Sequence, residues 1–249
     1  MKKLKILYLY PDILELYGDF GNIQILRYRL EQRGFKAIID SYSIGDVPPD
    51  FKSYDLVFAG GGADLEQEIL AKDLLKYQNS IQEAIDNGVF FLLICGAYQL
   101  FGQYYKSVEG EIIPGLKIFD YYTEALEDRK KRCIGNIVIE TTLPNKKTTK
   151  IIGFENHGGQ TYGITSSFGK VLTGNGNKFG DNEEGFFKPN VIATYLHGPL
   201  LAKNPELADF IIEYCLKRKY NESISLEPLD DTFENKCREQ LLSIFLSKD

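Results

Sequence analysis

Histidine, paired cysteines and long apolar runs are scarce in this chain of 249 residues. Histidine occurs only at His157 and His197, so chemistry that needs an imidazole has two candidates. The four cysteines (Cys95, Cys133, Cys215 and Cys237) form no CxxC pair, and no His/Cys spacing resembles a metal site. This pattern predicts free thiols in a reducing compartment and no bound metal. The longest apolar run, residues 89–95, is far shorter than the roughly 18–20 residues that cross a bilayer.

Basic residues are also outnumbered, with 29 Lys and Arg against 35 Asp and Glu and a net charge of −6. This balance argues against a nucleic-acid binder, which usually needs a basic face. Hydrophobic residues make up 43% and charged residues 26%, the ordinary globular mixture. The first apolar segment is broken by Lys5 and stops at Pro11, so it does not resemble a signal peptide. We therefore expect a cytoplasmic globular protein.

Strand-like and helix-like segments alternate through the first hundred residues. Strands are predicted at 3–10, 35–42, 54–59 and 89–94, and helices at 23–33, at 64–87 with a break near Asn79, and from 96 to about 105. Such alternation is typical of βαβ units and predicts an α/β fold with a mostly parallel sheet and helices on both faces. Ligands of such sheets bind beyond the carboxyl ends of the strands.

The second half has more strand signals, at 134–141, 150–155 and 191–195, with a glycine-rich stretch at 158–185. Asn204 and Pro205 are a typical helix start, and a last charged helix is predicted at 230–245. We predict one domain over residues 1–220 and a C-terminal helical appendage over residues 221–249.

Cys95 lies between a buried strand and a helix, with Gly96 directly after it, which is typical of a nucleophile elbow. The helix N-terminus favours a thiolate there, whereas the alternative is an inert buried thiol. The glycines at 60–62 follow the neighbouring strand. They are either a tight turn or backbone donors for an oxyanion. No GxxxxGK[ST] phosphate loop occurs in the sequence.

His197 is the better candidate for a general base, because it follows an apolar strand at the edge where Cys95 should lie. It would take the thiol proton and return a proton to a leaving group. His157 sits in a polar turn flanked by glycines, a position that favours a structural role over catalysis.

Four ordered motifs carry a resemblance to a known family. They are LYGDFGN at 16–22, CGAYQ at 95–99, GFENHGG at 153–159 and YLHGP at 195–199. Together they resemble the class I glutamine amidotransferases of the cobyric acid synthase type, and among these the glutaminase subunits of lipid II isoglutaminyl synthases. The resemblance implies a flavodoxin-like fold in which Cys95 attacks the side-chain amide of glutamine, releasing ammonia and leaving a thioester for water to hydrolyse.

The resemblance also implies roles for other residues. Backbone amides of Gly61, Gly62 and Gly96 would hold the oxyanion, and Gln99 would contact the substrate. An arginine would bind the substrate carboxylate, either Arg132, in an Arg-x-x-Gly pattern, or its rival Arg129.

One departure from many class I amidotransferases concerns the third member of the triad. Pro199 stands where those enzymes carry a Glu two residues after the base. Asp19 is a candidate to support His197 instead. The alternative is that its side chain only stabilises the loop backbone in an Asx turn.

The partner implied by the resemblance is a Mur-ligase-like, ATP-dependent subunit that amidates D-glutamate of the lipid II stem peptide. ATP and magnesium would bind that subunit, with no cofactor in this chain, and the heterodimer would be cytoplasmic or held at the inner membrane face through its substrate. The Cys95 edge of the sheet, with the Asp19 loop and the glycine-rich stretch at 158–185, is the expected docking face for the partner. The alternatives are a glutaminase for another synthetase such as one in cobyrinate amidation, a non-catalytic glutamine-sensing module, and a cysteine peptidase, which Gln99 and the Tyr-Leu-His-Gly motif disfavour.

Overall fold

The computed structural model describes residues 1–62, 64–144, 147–222 and 224–247, with only the backbone of Asp64, Leu65 and Arg129. The helices are α1 (Phe20–Glu31), α2 (Asp64–Leu74), α3 (Gln78–Asp86), α4 (Gly96–Leu100), α5 (Leu200–Lys203), α6 (Pro205–Tyr220) and α7 (Thr232–Leu246). The strands are β1 (Lys3–Leu9), β2 (Lys36–Tyr42), β3 (Leu56–Ala59), β4 (Phe90–Ile94), β5 (Tyr104–Lys106), β6 (Ile112–Pro114), β7 (Tyr122–Ala125), β8 (Cys133–Thr142), β9 (Thr148–His157), β10 (Gly159–Tyr162), β11 (Gly169–Thr173), β12 (Glu183–Glu184), β13 (Phe186–Lys188) and β14 (Val191–Thr194).

The main sheet has six strands in the order β13–β14–β4–β3–β1–β2. Every neighbouring pair is parallel except β13 with β14 at the edge. All residues of β3, β4 and β14 are buried, so both faces of the sheet centre are covered. The predicted α/β class with a mainly parallel sheet is confirmed.

Strands β5 to β12 form two smaller sheets, in the orders β12–β11–β8–β9 and β10–β7–β5–β6. The long antiparallel pair of β8 and β9 runs in register from Cys133 opposite His157 to Thr142 opposite Thr148. An isolated bridge joins Phe154 of β9 to His197, just after β14. The smaller sheet that contains β9 therefore meets the main sheet at the carboxyl end of β14.

The helix after Cys95 is shorter than the sequence predicts, ending at Leu100 rather than near residue 105. The carbonyls of Leu100, Phe101 and Gly102 accept hydrogen bonds from residues 116–119 instead of continuing the helix. An ideal Cβ on Gly102 would lie 2.5 Å from the carbonyl oxygen of Tyr121, so the chain can pass there only as glycine. This early stop allows β5 to start beside the site.

The break within the second predicted helix falls at a 3₁₀ turn, Leu75–Tyr77, slightly before the predicted Asn79. Leu74, Ile81 and Ile85 are buried on the inner side of these two helices, whereas Ile69 is about half exposed.

The C-terminal helix α7 packs beside β8 and β11. The Arg238 guanidinium donates to Thr149 Oγ1 at 3.1 Å and to the carbonyl of Lys150. Just before the helix, Asp231 accepts a hydrogen bond of 2.6 Å from Arg29 of α1. The division between a domain of residues 1–220 and an appendage of residues 221–249 stays a prediction. Among the described ranges, no helix is long and apolar enough to cross a membrane.

Candidate active site

Cys95 occupies the turn between β4 and α4 in a strained backbone conformation, with φ of 50° and ψ of −103°. A positive φ is uncommon outside glycine and costs roughly 1–3 kcal/mol, so the surrounding structure must impose it. The Cys95 amide donates to the Thr194 carbonyl at 2.8 Å, which fixes the turn against β14. This is the geometry of a nucleophile elbow, which presents the thiol at the end of the strand.

His197 is fully buried and is held from two sides. Its Nδ1 lies 3.1 Å from Oδ2 and 3.2 Å from Oδ1 of Asp19, which is itself fully buried. Its backbone exchanges two hydrogen bonds with Phe154, of 2.9 and 3.0 Å. The ring is therefore fixed with Nδ1 towards a carboxylate, the arrangement that orients a catalytic imidazole.

Gly61 shows how closely the three side chains approach one another. An ideal Cβ on Gly61 would lie 2.7 Å from Cε1 of His197, 3.3 Å from Cβ of Cys95 and 3.5 Å from Oδ2 of Asp19. Within the described part of the chain, Nε2 of His197 has no hydrogen-bond partner. The structure thus brings the predicted nucleophile, base and supporting carboxylate together, with one imidazole nitrogen left for proton transfer.

The electrostatics of His197 favour its protonated form. Burial acts to lower its pKa, but interaction with Cys95 and the carboxylate of Asp19 outweighs burial and raises the pKa to about 10. A protonated imidazole at this position can give a proton to a leaving group.

One of the three backbone amides predicted to hold the oxyanion is already used in another hydrogen bond. The Gly61 amide donates to Oδ2 of Asp19 at 2.9 Å, so it positions the carboxylate and is not free for an oxyanion. Among described residues, the Gly62 amide donates to no acceptor, and the Gly96 amide, first in α4, has no acceptor within its helix. An ideal Cβ on Gly96 would lie 3.0 Å from the Gly62 nitrogen, so these two amides lie side by side. Gly62 and Gly96 remain the candidate donors.

Gln99 is buried in a chain of polar side chains beside the thiol. Its Oε1 accepts from Nε2 of Gln67 at 2.9 Å, and its Nε2 donates to the Tyr195 hydroxyl at 3.1 Å. Gln67 Nε2 also donates to the Gly62 carbonyl at 3.3 Å, so Gln67 joins Gln99 to the turn that contains Gly61 and Gly62. These contacts fix the Gln99 amide at the floor of the cavity described next.

A cavity of about 660 Å³ opens beside Cys95, in the range of small-molecule sites. Its walls include Cys95, Gln99 and Arg132. An ideal Cβ on Gly158 would lie 3.3 Å from Arg132 Nη1, so the guanidinium runs along the glycines that follow His157. The structure therefore places Arg132 in the same cavity as the thiol. The side chain of its rival, Arg129, lies outside the described residues.

His157 is buried in a structural position. Its Nδ1 donates to the Gly159 carbonyl at 2.7 Å, and its ring stacks on Tyr195 with centroids 3.6 Å apart. Burial lowers its pKa to about 3, so it stays neutral at physiological pH. The ring therefore packs against Tyr195 and carries no charge towards the thiol.

Three residues of the site are missing from the sequence-based assignment. Tyr17 and Asn156 line the cavity, and their only signal in the sequence is their place inside the motifs at 16–22 and 153–159. Gln67 has no such signal, because an isolated glutamine in a helix is ordinarily solvated. In the part of the chain that the structure describes, no group of three or more His, Cys, Asp and Glu residues could hold a metal ion.

A parallel sheet with a thiol elbow, a carboxylate-supported histidine and adjacent backbone donors is the arrangement of a class I amidotransferase. Residues 5–205 match the CobB/CobQ-like glutamine amidotransferase domain, and the chain belongs to this family. It is 38% identical over 245 residues to the lipid II isoglutaminyl synthase (glutamine-hydrolyzing) subunit GatD of Staphylococcus aureus, covering 97% of this chain and 96% of that protein.

Other relatives agree with the family. The GatD subunit of Streptococcus pneumoniae is 38% identical over 240 residues, which cover 96% of this chain and 90% of that protein. A probable cobyric acid synthase of Methanocaldococcus jannaschii is 29% identical, and the match covers 90% of this chain but 48% of that protein. The solved structure of PurLQS from Thermotoga maritima has a TM-score of 0.55 at 18% identity, covering 89% of this chain and 100% of that chain, and indicates the fold alone.

Proposed function

We propose that this chain hydrolyses glutamine to glutamate and ammonia and supplies the ammonia to a partner, as the glutaminase subunit of a lipid II isoglutaminyl synthase. The observation that carries the proposal is the arrangement of the Cys95 elbow beside a His197 whose Nδ1 lies 3.1 Å from Asp19. The 38% identity to two GatD subunits over nearly their whole length supports the choice of this subunit.

In the first half-reaction, the Cys95 sulfur attacks the side-chain carboxamide carbon of glutamine as a thiolate. The amides of Gly62 and Gly96 stabilise the negative charge on the carboxamide oxygen. His197 gives the proton on Nε2 to the amide nitrogen, the C–N bond breaks, and ammonia leaves a γ-glutamyl thioester on Cys95.

In the second half-reaction, water replaces ammonia at the same carbonyl carbon. His197, now neutral, takes a proton from the attacking water, and the C–S bond breaks to release glutamate and regenerate the thiolate. Asp19 accepts a hydrogen bond from Nδ1 of His197 throughout, so the ring keeps Nε2 towards the reacting atoms.

Arg132 is the residue proposed to bind the α-carboxylate of glutamine. It carries a permanent positive charge in a cavity that also contains the thiol. Gln99 lies deeper in the cavity wall, where its fixed amide positions the substrate side chain near Cys95.

The proposed partner is a Mur-ligase-like subunit that uses ATP and magnesium to activate D-glutamate of the lipid II stem peptide. Support comes from the names of the GatD relatives, which are subunits of a lipid II isoglutaminyl synthase, and from the absence of a phosphate-loop motif in this sequence. The mouth of the cavity is the proposed docking face. Val108 lines it, and Ile134 of β8, 55% exposed, shares a face with its pairing partner Asn156.

Cobyrinate amidation is the second candidate, because cobyric acid synthases are also relatives. The chain is 38% identical to both GatD subunits and 29% identical to the Methanocaldococcus relative, which favours the lipid II assignment. A purely regulatory glutamine-binding role has less support, because Cys95, His197 and Asp19 are all present and adjacent.

The test is reconstitution with a Mur-ligase-like protein from the same source. Glutamate release and lipid II amidation are measured with glutamine, with and without ATP and magnesium, and with Cys95→Ser as the inactive control. ATP-dependent amidation of lipid II supports the proposal. Amidation of a cobyrinate and not of lipid II would replace it with the second candidate.

A further inference from the structure

Tyr17 is held in an unfavourable backbone conformation directly over the catalytic imidazole. It lies in the 3₁₀ turn Leu16–Gly18 with φ of 56° and ψ of 28°. Its ring meets that of His197 edge to face, with centroids 4.8 Å apart. Tyr17 is 43% exposed while His197 is 0% exposed, so the tyrosine ring lies between the imidazole and solvent on this side.

The turn that carries Tyr17 is joined to the Gly61 backbone at its first residue and is closed by a hydrogen bond of its own. The Leu16 amide donates to the Gly61 carbonyl at 3.3 Å, and the Asp19 amide donates to the Leu16 carbonyl at 3.3 Å. A residue with φ above zero is retained only where the surrounding structure over-determines it, and such residues cluster at functional sites. The same turn therefore places Asp19 against one side of the imidazole and Tyr17 against another.

Asn156 links Tyr17 to the substrate end of the cavity. Its Nδ2 donates to the Tyr17 hydroxyl, and its Oδ1 accepts from Nε of Arg132 at 3.0 Å. The bond to Nε fixes the plane of the guanidinium and leaves its terminal nitrogens for a ligand. All three side chains line the cavity.

We infer that Tyr17 is a positioning residue with two separable parts, in which the ring holds and shields His197 and the hydroxyl, through Asn156, orients Arg132 for the glutamine carboxylate. This inference rests on the proposed function, since it assigns Arg132 to the substrate. It predicts that the proton-transfer end and the carboxylate-binding end of the cavity are joined through one side chain.

The two parts are tested by removing them separately in the reconstituted complex. Tyr17→Phe keeps the ring and removes the hydroxyl, so KM for glutamine should rise about three- to tenfold, the size of one hydrogen bond, with kcat nearly unchanged. Tyr17→Ala removes the ring as well, so kcat should fall by at least tenfold in addition. Tyr28→Phe, an exposed tyrosine on α1, is the matched control and should leave both constants unchanged.

Asn156→Ala tests the link itself. It should raise KM as much as Tyr17→Phe, and the double variant should be no worse than either single one, because both break the same chain of hydrogen bonds. Glutamine binding measured by calorimetry in a Cys95→Ala background should follow the same pattern. Additive effects, or an equal loss of kcat in Tyr17→Phe and Tyr17→Ala, would overturn the inference. Failure of the unaltered complex to release glutamate would overturn the proposed function instead, while the calorimetry would still report on Tyr17.

Discussion

His197 Nδ1 lies 3.1 Å from Oδ2 of Asp19, although the two residues are 178 positions apart in the chain. The carboxylate of the site thus comes from the loop after β1. Position 199 cannot supply it: the ring of Pro199 faces α1, where an ideal Cβ on Gly21 would lie 2.2 Å from its Cγ. A triad of cysteine, histidine and aspartate is therefore completed without a carboxylate directly after the histidine.

Asp19→Asn should lower kcat by about 10²–10⁴-fold with little change in fold. With its oxygen kept at the Gly61 amide, the asparagine places an NH₂ group where Oδ1 lay, 3.2 Å from Nδ1 of His197, and supplies no negative charge to stabilise the protonated imidazole. The measurement is steady-state glutamate release, with circular dichroism to establish folding. Asp12→Asn, on the exposed part of the same loop, is the control. Activity of Asp19→Asn within threefold of the parent would show that the carboxylate does not orient the imidazole.

Cys95 and His197 could be assigned from sequence because each follows a strand, and strand ends of a parallel sheet share an edge. The role of Gly61 could not be assigned from sequence, because its amide donates to the carboxylate of Asp19, which lies 42 positions earlier in the chain. The end of α4 likewise depends on carbonyl acceptors used by residues 116–119. Local patterns therefore located the site, whereas the distribution of its hydrogen bonds required the tertiary structure.

Cys95→Ser should reduce glutamine hydrolysis by several orders of magnitude, because a serine hydroxyl beside a helix N-terminus is not ionised as a thiolate is. Single-turnover glutamate release measures the loss. An electrophilic glutamine analogue should modify Cys95 in the parent chain, as read by mass spectrometry of its peptides. Cys133 and Cys215, whose pKa values burial raises, should remain unmodified, and Cys237, exposed on α7, is the internal control for nonspecific reaction. Near-normal release by the serine variant would exclude the thioester.

His197→Ala should be as damaging as Cys95→Ser, and the double variant should be no worse, because nucleophile and imidazole act as a unit. His157→Ala should instead lower the free energy of unfolding by about 2–4 kcal/mol, since it removes a ring stacked on Tyr195, and should lower kcat less than tenfold. Chemical denaturation and glutamate release separate the two effects. A folded but inactive His157→Ala beside an active His197→Ala would reverse the assignment of the base.

Glu184 should make the fold less stable as the pH rises. Burial raises its pKa from 4.5 to about 8, although hydrogen bonds from Tyr195 and Thr194 act against the shift. The folded state therefore binds the proton more tightly than the unfolded state, so this stabilisation is fully present below about pH 4.5 and is lost as the pH rises towards 8. Glu184→Gln should match the parent in Tm at low pH and exceed it by several degrees at pH 9. Glu183→Gln, at the exposed neighbouring residue, should have the Tm of the parent at both pH values. Identical Tm changes in the two variants would show that the pH dependence does not arise from Glu184.

Hydrolysis by this chain alone should be slow and should rise at least tenfold when the ATP-dependent partner binds. Ammonia released into water at neutral pH becomes mostly ammonium, which is not a nucleophile, so efficient use requires two sites joined by an interface that excludes solvent. The cavity mouth is where such an interface would act, and binding there can gate a site by reordering a single loop.

Ile134→Glu tests this coupling at the mouth. It should weaken partner binding by at least tenfold in calorimetry and abolish the rise in glutamate release, because it buries a charge in the interface. Ile244→Glu is the matched control, an isoleucine of similar exposure on α7, whose Arg238 contacts Thr149 at the other end of the β8–β9 pair. It should leave binding and stimulation unchanged. Full-speed hydrolysis by the chain alone, together with no binding of the ligase at any concentration tested, would instead indicate a self-sufficient glutaminase.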